Sequence, residues 1–236
     1  VLGYLDDVTM GGEAKTVADD FLAMEAVARK IGLEINRSKC EVVGHSAQTR
    51  ALFTDRGIVL PEKDVSSVDL LGAPMSVGQH LEQVIEGKTE ELQRLARRLV
   101  FMPSHDSLFL LRNVLAAPRL MYLLRTSPCT GSNELTRYDE VLRQTLSSTL
   151  NVEFTDDRCN QASLPVRWGG LGVRSVAMLA PSAYLASAAS TADLTSSLLP
   201  PRLRDTPYSG TPVAMSKWSS LSRLSQPPSS TSQRAW

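Results

Sequence analysis

At 236 residues, with 42% hydrophobic and 21% charged side chains, the chain has enough apolar material for one large core or two smaller ones, which excludes disorder over most of its length. Basic and acidic residues balance at 25 each, so no global basic field advertises nucleic acid, yet residues 1–80 hold 8 basic against 12 acidic side chains and residues 151–236 hold 8 against 5. Cys40, Cys129 and Cys159 stand far apart without a CxxC pair, as do His45, His80 and His105. That spacing argues against zinc modules and a disulfide framework, and points to a reducing, intracellular setting in cytoplasm or nucleus.

Residues 1–12 form two short β-favouring runs on either side of Asp6-Asp7, the pattern of a tight hairpin with paired acids at its tip. From Ala14 the apolar period becomes helical, through Val17, Ala18, Phe21, Leu22, Ala28 and Ile31, and Gly32 supplies the stop. Cys40 to Gly44 and Asp69 to Ala73 read as further short strands, giving a β-α-β-β outline over residues 1–75. Beyond Gly78 the spacing is helical: Leu81 to Leu99, then Asp106 to Arg125 with Pro118 dividing it, then a run capped by Ser132 and extending to Leu150. Arg167 to Gly172 is a turn, and Ala177 to Ala189 a helix of small residues. Residues 196–236 contain 11 Ser and 6 Pro, too little apolar surface to order most of them, with Val213 to Leu224 around Trp218 as the exception. The charge-free stretch Ser175 to Ala192 is too rich in Ser and Ala to span a bilayer, so no membrane association is expected. The opening Val1-Leu2-Gly3-Tyr4, without Met or leader, reads as an internal piece of a longer protein.

Adjacent aspartates at a hairpin tip are what an ordinary turn uses. They are also what two-metal phosphoryl chemistry needs, because hard divalent cations are held by carboxylates open to substrate oxygens. Tyr4-Leu5-Asp6-Asp7 resembles the Tyr-x-Asp-Asp motif of reverse transcriptases. Gly32-Leu33-Glu34-Ile35-Asn36-Arg37-Ser38-Lys39-Cys40-Glu41 resembles the Gly-Leu-x-x-Asn-x-x-Lys-Cys segment of the non-LTR (LINE-type) retrotransposon branch. Leu70-Leu71-Gly72 is similar to that family's primer-grip strand, and Leu110-Leu111-Arg112 and Pro118 to Arg125 to its thumb helices. Leu164-Pro165 and Gly169 to Gly172 are similar to the segment beyond the thumb.

The resemblance covers about residues 1–190 and implies an α+β fold, a partial polymerase palm (hairpin, helix and short strands) followed by an all-helical thumb. Its expected divisions are palm 1–78, thumb 79–152, a post-thumb turn and small-residue helix 153–195, and a Ser/Pro-rich tail 196–236. It implies catalytic roles for Asp6, Asp7 and Lys39, two Mg²⁺ ions held in part by Asp6 and Asp7, and Tyr4 and Leu5 near the primer end. The expected partners are an RNA template and a DNA primer. Lys88, Arg94, Arg97 and Arg98 on the first thumb helix would meet nucleic acid, or form a solvated face. The family's third palm aspartate and its fingers are expected upstream of Val1, so the chain alone is expected to be inactive. A different class stays open, a non-catalytic helical module that binds nucleic acid or protein.

Overall fold

The computed structural model describes residues 1–44, 46–199, 201, 210–222, 224, 226–228, 232 and 235–236. The fold is α+β, mostly helical with a few two- or three-residue strands. It divides into two compact units, Val1–Gly72 and Ala73–Trp236.

The first unit begins with β1 (Leu2–Tyr4) and β2 (Asp7–Thr9), an antiparallel hairpin in the register Leu2↔Thr9, Gly3↔Val8, Tyr4↔Asp7. Helix α1 (Ala14–Lys30) follows and ends as the sequence suggests. Gly32, at φ 81°, donates to Arg29 O while Leu33 donates to Ala28 O, the paired bonds of a Schellman stop that only a residue tolerant of the left-handed region closes cheaply. A 3₁₀ turn (Arg37–Lys39) leads to β3 (Val42–Val43), α2 (Ala47–Asp55) and β4 (Glu62–Lys63). The expected β-α-β-β outline is therefore incomplete: α2 crosses between β3 and β4, which pair in parallel, Val42 with Glu62 and Val43 with Lys63. A helical crossover is what a parallel pair requires. The unit's core is Ala18 and Phe21 from α1 against Phe53 and Ile58, with Met10 anchoring the end of the hairpin strand. Strand β5 (Asp69–Leu70) leads into Leu71-Gly72, both at positive φ.

The second unit starts at β6 (Ala73–Pro74) and is built on α3 (Gln79–Leu99), α5 (Ala117–Thr126), α6 (Asn133–Leu150) and α8 (Val176–Leu198). The division of the second helical run lies just before Pro118: α4 (Ser104–Leu110) passes into a π turn (Leu111–Leu115), the chain breaks at Ala116, and Pro118 sits in the first turn of α5, where its missing N–H costs nothing. By length and hydropathy Ser104–Thr126 is the one described stretch that could cross a membrane. Here its Leu111, Leu115, Leu120 and Leu124 form the protein core with Leu81, Ile85, Leu92, Leu135, Tyr138 and Val176. Each fully buried Leu or Ile contributes roughly 1.5–3 kcal/mol.

Short helix α7 (Asp156–Ser163) and a 3₁₀ turn (Val166–Trp168) connect α6 to α8. Within the Ser/Pro-rich tail, residues 202–209 and several beyond Ser222 lie outside the described residues. Helix α9 (Thr211–Leu221) packs on α8, with Ala214 and Trp218 buried beside Tyr184 and Leu185. Trp218 donates its indole N–H to Trp236 O at 3.1 Å, and the two rings meet edge to face at 5.5 Å.

Candidate functional site

The pairing of Tyr4 with Asp7 leaves Leu5 and Asp6 as a two-residue turn. Leu5 sits at φ 53°, a left-handed conformation that favours glycine. A non-glycine residue there costs on the order of 1–3 kcal/mol, and such positions concentrate where geometry is imposed by function. Tyr4 and Asp7, directly opposite one another, share one face of the hairpin. Tyr4, Leu5, Asp6, Asp7 and Val8 are all exposed, Leu5 at 88%. Among the described residues no third strand joins this sheet.

Two exposed carboxylates in succession are hard oxygen donors of the kind Mg²⁺ prefers. Among the described residues no group of three or more His, Cys, Asp or Glu gathers into a possible metal site. Asp6 and Asp7 thus bring two donors of the right chemistry, fewer than a metal site needs by itself.

Lys39 ends the 3₁₀ turn and is exposed. Among the described residues it makes no ion pair with Asp6 or Asp7. The turn that displays it is tightly held. Asn36 caps it, its Oδ1 accepting from Ser38 N at 3.1 Å and from Ser38 Oγ at 2.7 Å. Arg37 forks onto the Glu25 carboxylate at 2.9 and 2.8 Å, donates to Gly57 O at 2.7 Å, and lies over the Phe21 ring. Hydrogen bonding by Arg37 holds the Glu25 carboxyl below the usual carboxylate range against the opposing effect of burial, and the same contact raises the Arg37 guanidinium. Cys40 is half-buried against the first unit's core and its thiol is pushed up by that burial.

Sequence reasoning passed over Glu25 and Arg37. The available signal was an acid on the apolar stripe of α1, four residues after Phe21, where a buried carboxylate needs a partner.

On α3 the four candidate basic residues separate into two kinds. Lys88 lies 3.9 Å from Glu91, which also takes the Arg119 guanidinium in a close ion pair. Arg94, Arg97 and Arg98 are exposed and make no ion pair among the described residues. Three cations are thus left to solvent in the last turns of the helix, where the dipole favours positive charge.

The chain is similar to a retrotransposon protein. It is 26% identical over 183 residues to the Retrotransposable element SLACS 132 kDa protein of Trypanosoma brucei gambiense, a match covering 77% of this chain and 15% of that protein. This similarity supports a retrotransposon-related origin. The chain spans about 15% of the length of the curated relative it matches. No family model matches the chain, and no solved structure matches it.

Proposed function

We propose that the chain is a segment of a retrotransposon RNA-directed DNA polymerase, contributing the second part of the palm and the thumb. The observation that carries this reading is the strained two-residue turn that presents Asp6 and Asp7, both exposed, at the tip of an apolar hairpin. The similarity to a retrotransposon protein supports it.

In this reading Asp6 and Asp7 hold part of a divalent cation site, with the remaining carboxylate supplied from outside residues 1–236. Mg²⁺ bound there would supply charge neutralisation to a triphosphate and its departing pyrophosphate. Lys39, exposed on a turn pinned by Arg37 and Asn36, offers an ammonium to the pyrophosphate side. Tyr4 and Leu5 lie along the primer end, and Arg94, Arg97 and Arg98 meet backbone phosphates of an RNA template and DNA primer. The setting is the cytoplasm or nucleus.

The test joins the chain in frame to a matching upstream palm and fingers and measures primer extension on an RNA template with Mg²⁺. Extension is expected from the joined protein and not from the isolated chain. Asp6→Asn is expected to lower the rate on the order of 100-fold or more, since a preorganised charge at the reacting centre is lost. Near-unchanged turnover in that variant would overturn the metal assignment.

A further inference from the structure

We propose that the turn following α7 is a binding platform for single-stranded nucleic acid, with Trp168 as the base-stacking surface and Arg112, Arg167 and Arg174 as phosphate contacts.

Trp168 is 63% exposed, although indole surface is among the most favourable to bury. The Arg167 guanidinium lies over its ring at 4.9 Å. The cation lies over the ring, and at this exposure indole surface is left open to solvent. An exposed indole of this kind is a surface on which a base can stack.

The platform is rigid. Leu171 N and Val173 N both donate to Ala162 O, at 3.0 and 3.2 Å, and Gly172 N donates to Leu164 O at 2.9 Å. Gly169 N and Gly170 N close onto Val166 O and Pro165 O. The amides of the glycine-rich run are therefore taken by carbonyls of α7 and the turn before it, and offer no phosphate cradle. Positive charge comes instead from side chains. Arg112, carried by the π turn, lies across Gly172 so closely that a Cβ there would stand 3.1 Å from its Nε. Arg174 follows two residues later and is exposed.

Arg112, Arg167 and Arg174 make no ion pair among the described residues. From Arg158 to Ala192 the sequence contains no Asp or Glu; of the two acids just before, Asp156 is bonded to Arg143 at 3.0 Å and Asp157 is exposed in the first turn of α7. An exposed indole with Arg167 over its ring, on a turn that Arg112 crosses at Gly172 and Arg174 follows, matches a polyanion with accessible base faces. A single strand has both; in a duplex the bases are stacked on each other.

The experiment uses the full chain and a fluorescein-labelled 12-nucleotide single strand, with a duplex of the same length as comparison, read by anisotropy across a salt series. Trp168→Ala is expected to weaken single-strand binding by about 5- to 100-fold while leaving duplex binding unchanged. Trp168→Phe, which keeps a ring, is expected to recover most of the loss. Arg112→Gln and Arg174→Gln are each expected to reduce the dependence of log affinity on log salt by about 0.7. Single-strand affinity unchanged in Trp168→Ala would overturn the proposal, as would an equal loss for strand and duplex. Failure of the wild-type chain to bind the strand at low salt would also overturn it and leave a protein partner as the occupant of this face. Circular dichroism of Trp168→Ala should match wild type, since the side chain it removes is mostly in solvent.

Discussion

The partly buried Asp139 carboxylate of α6 accepts the backbone N–H of Val176 at 2.8 Å and so caps the start of α8 from a neighbouring helix. Its other oxygen takes Ser175 Oγ at 2.6 Å and Ala177 N at 3.1 Å. Glu82 on α3 does the same for α6, accepting from Ser132 Oγ at 2.8 Å and from Glu134 N at 3.4 Å. Each of these helix starts, with its positive dipole end and orphan donors, is satisfied by an acid on a helix packed beside it. Capping and helix packing are therefore one interaction in the second unit.

Asp139→Ala is accordingly expected to cost on the order of 1–3 kcal/mol, because two amides lose a partly buried acceptor. Burial is the larger influence on this carboxyl and raises it, with the three hydrogen bonds pulling it back. A raised carboxyl keeps its proton longer in the folded state. Its contribution to stability is thus greatest below the ordinary carboxylate value, declines as pH rises through the window up to the folded value, and is flat above. Asp139→Asn abolishes that dependence. The stability difference between wild type and Asp139→Asn, from urea unfolding at several pH values, should shrink as pH rises through this window. A difference constant with pH would show that the carboxyl is not perturbed.

Glu25 works with the opposite sign. Its carboxyl is lowered by Arg37, so the stability it provides is fully present above the ordinary glutamate value and is lost as pH falls through the folded value. Glu25→Gln should weaken the first unit at neutral pH and leave it unchanged in acid. All three tryptophans lie in the second unit, so the measurement is amide hydrogen exchange in α1 and at Ser38 and Lys39. Equal protection in wild type and variant at neutral pH would show that the Glu25–Arg37 pair does not hold the Lys39 turn.

Much of this was legible in the sequence, for local reasons. The hairpin followed from its flanking β-favouring runs, α1 from its stripe and Gly32, and the break before α5 from Pro118. Helix α2 escaped because it buries little besides Phe53, leaving no stripe to read, although Ser46 accepting from Thr49 N and Gly57 beyond its end are ordinary boundary signals. Helix α7 escaped for the same reason, despite Asp156 and Asp157 in its first turn. The parallel β3–β4 pair is two residues long and is set by tertiary contact. At the site, residue types pointed to Asp6, Asp7 and Lys39, but which cations were compensated was not readable. Lys88 and Arg94 look alike in the sequence; only packing shows that Lys88 shares the Glu91 carboxylate with Arg119 while Arg94 makes no ion pair among the described residues.

Gly170 and Gly87 should respond oppositely to alanine. A Cβ on Gly170 would stand 2.0 Å from Leu164 O and 2.7 Å from Gln161 O, both backbone atoms that cannot yield cheaply. A Cβ on Gly87, in α3, meets nothing within 4 Å. Gly170→Ala is expected to destabilise the second unit by about 1–3 kcal/mol or more, and Gly87→Ala to stabilise it by up to about 1 kcal/mol. Thermal unfolding followed by tryptophan fluorescence checks both. A tolerated Gly170→Ala would mean that the turn carrying Trp168 is not closed as described.

The last prediction concerns the end of α3. Arg94, Arg97 and Arg98 are exposed and without ion pairs among the described residues, whereas Lys88 shares Glu91 with Arg119. If this face meets the backbone of a duplex, each free arginine releases condensed counterions, and replacing it by Gln should reduce the slope of log affinity against log salt by about 0.9. Lys88→Gln should change the slope less, because its ammonium shares the Glu91 carboxylate with Arg119. The loss should be the same for duplexes of unrelated sequence, since guanidiniums that reach only phosphates carry no base information. Anisotropy titrations with two such duplexes, across a salt series, measure slope and sequence dependence together. A slope unmoved by the triple arginine variant would assign the face to solvent, and equal effects from Lys88→Gln and Arg94→Gln would show that the Glu91 pairing does not set which cations are free.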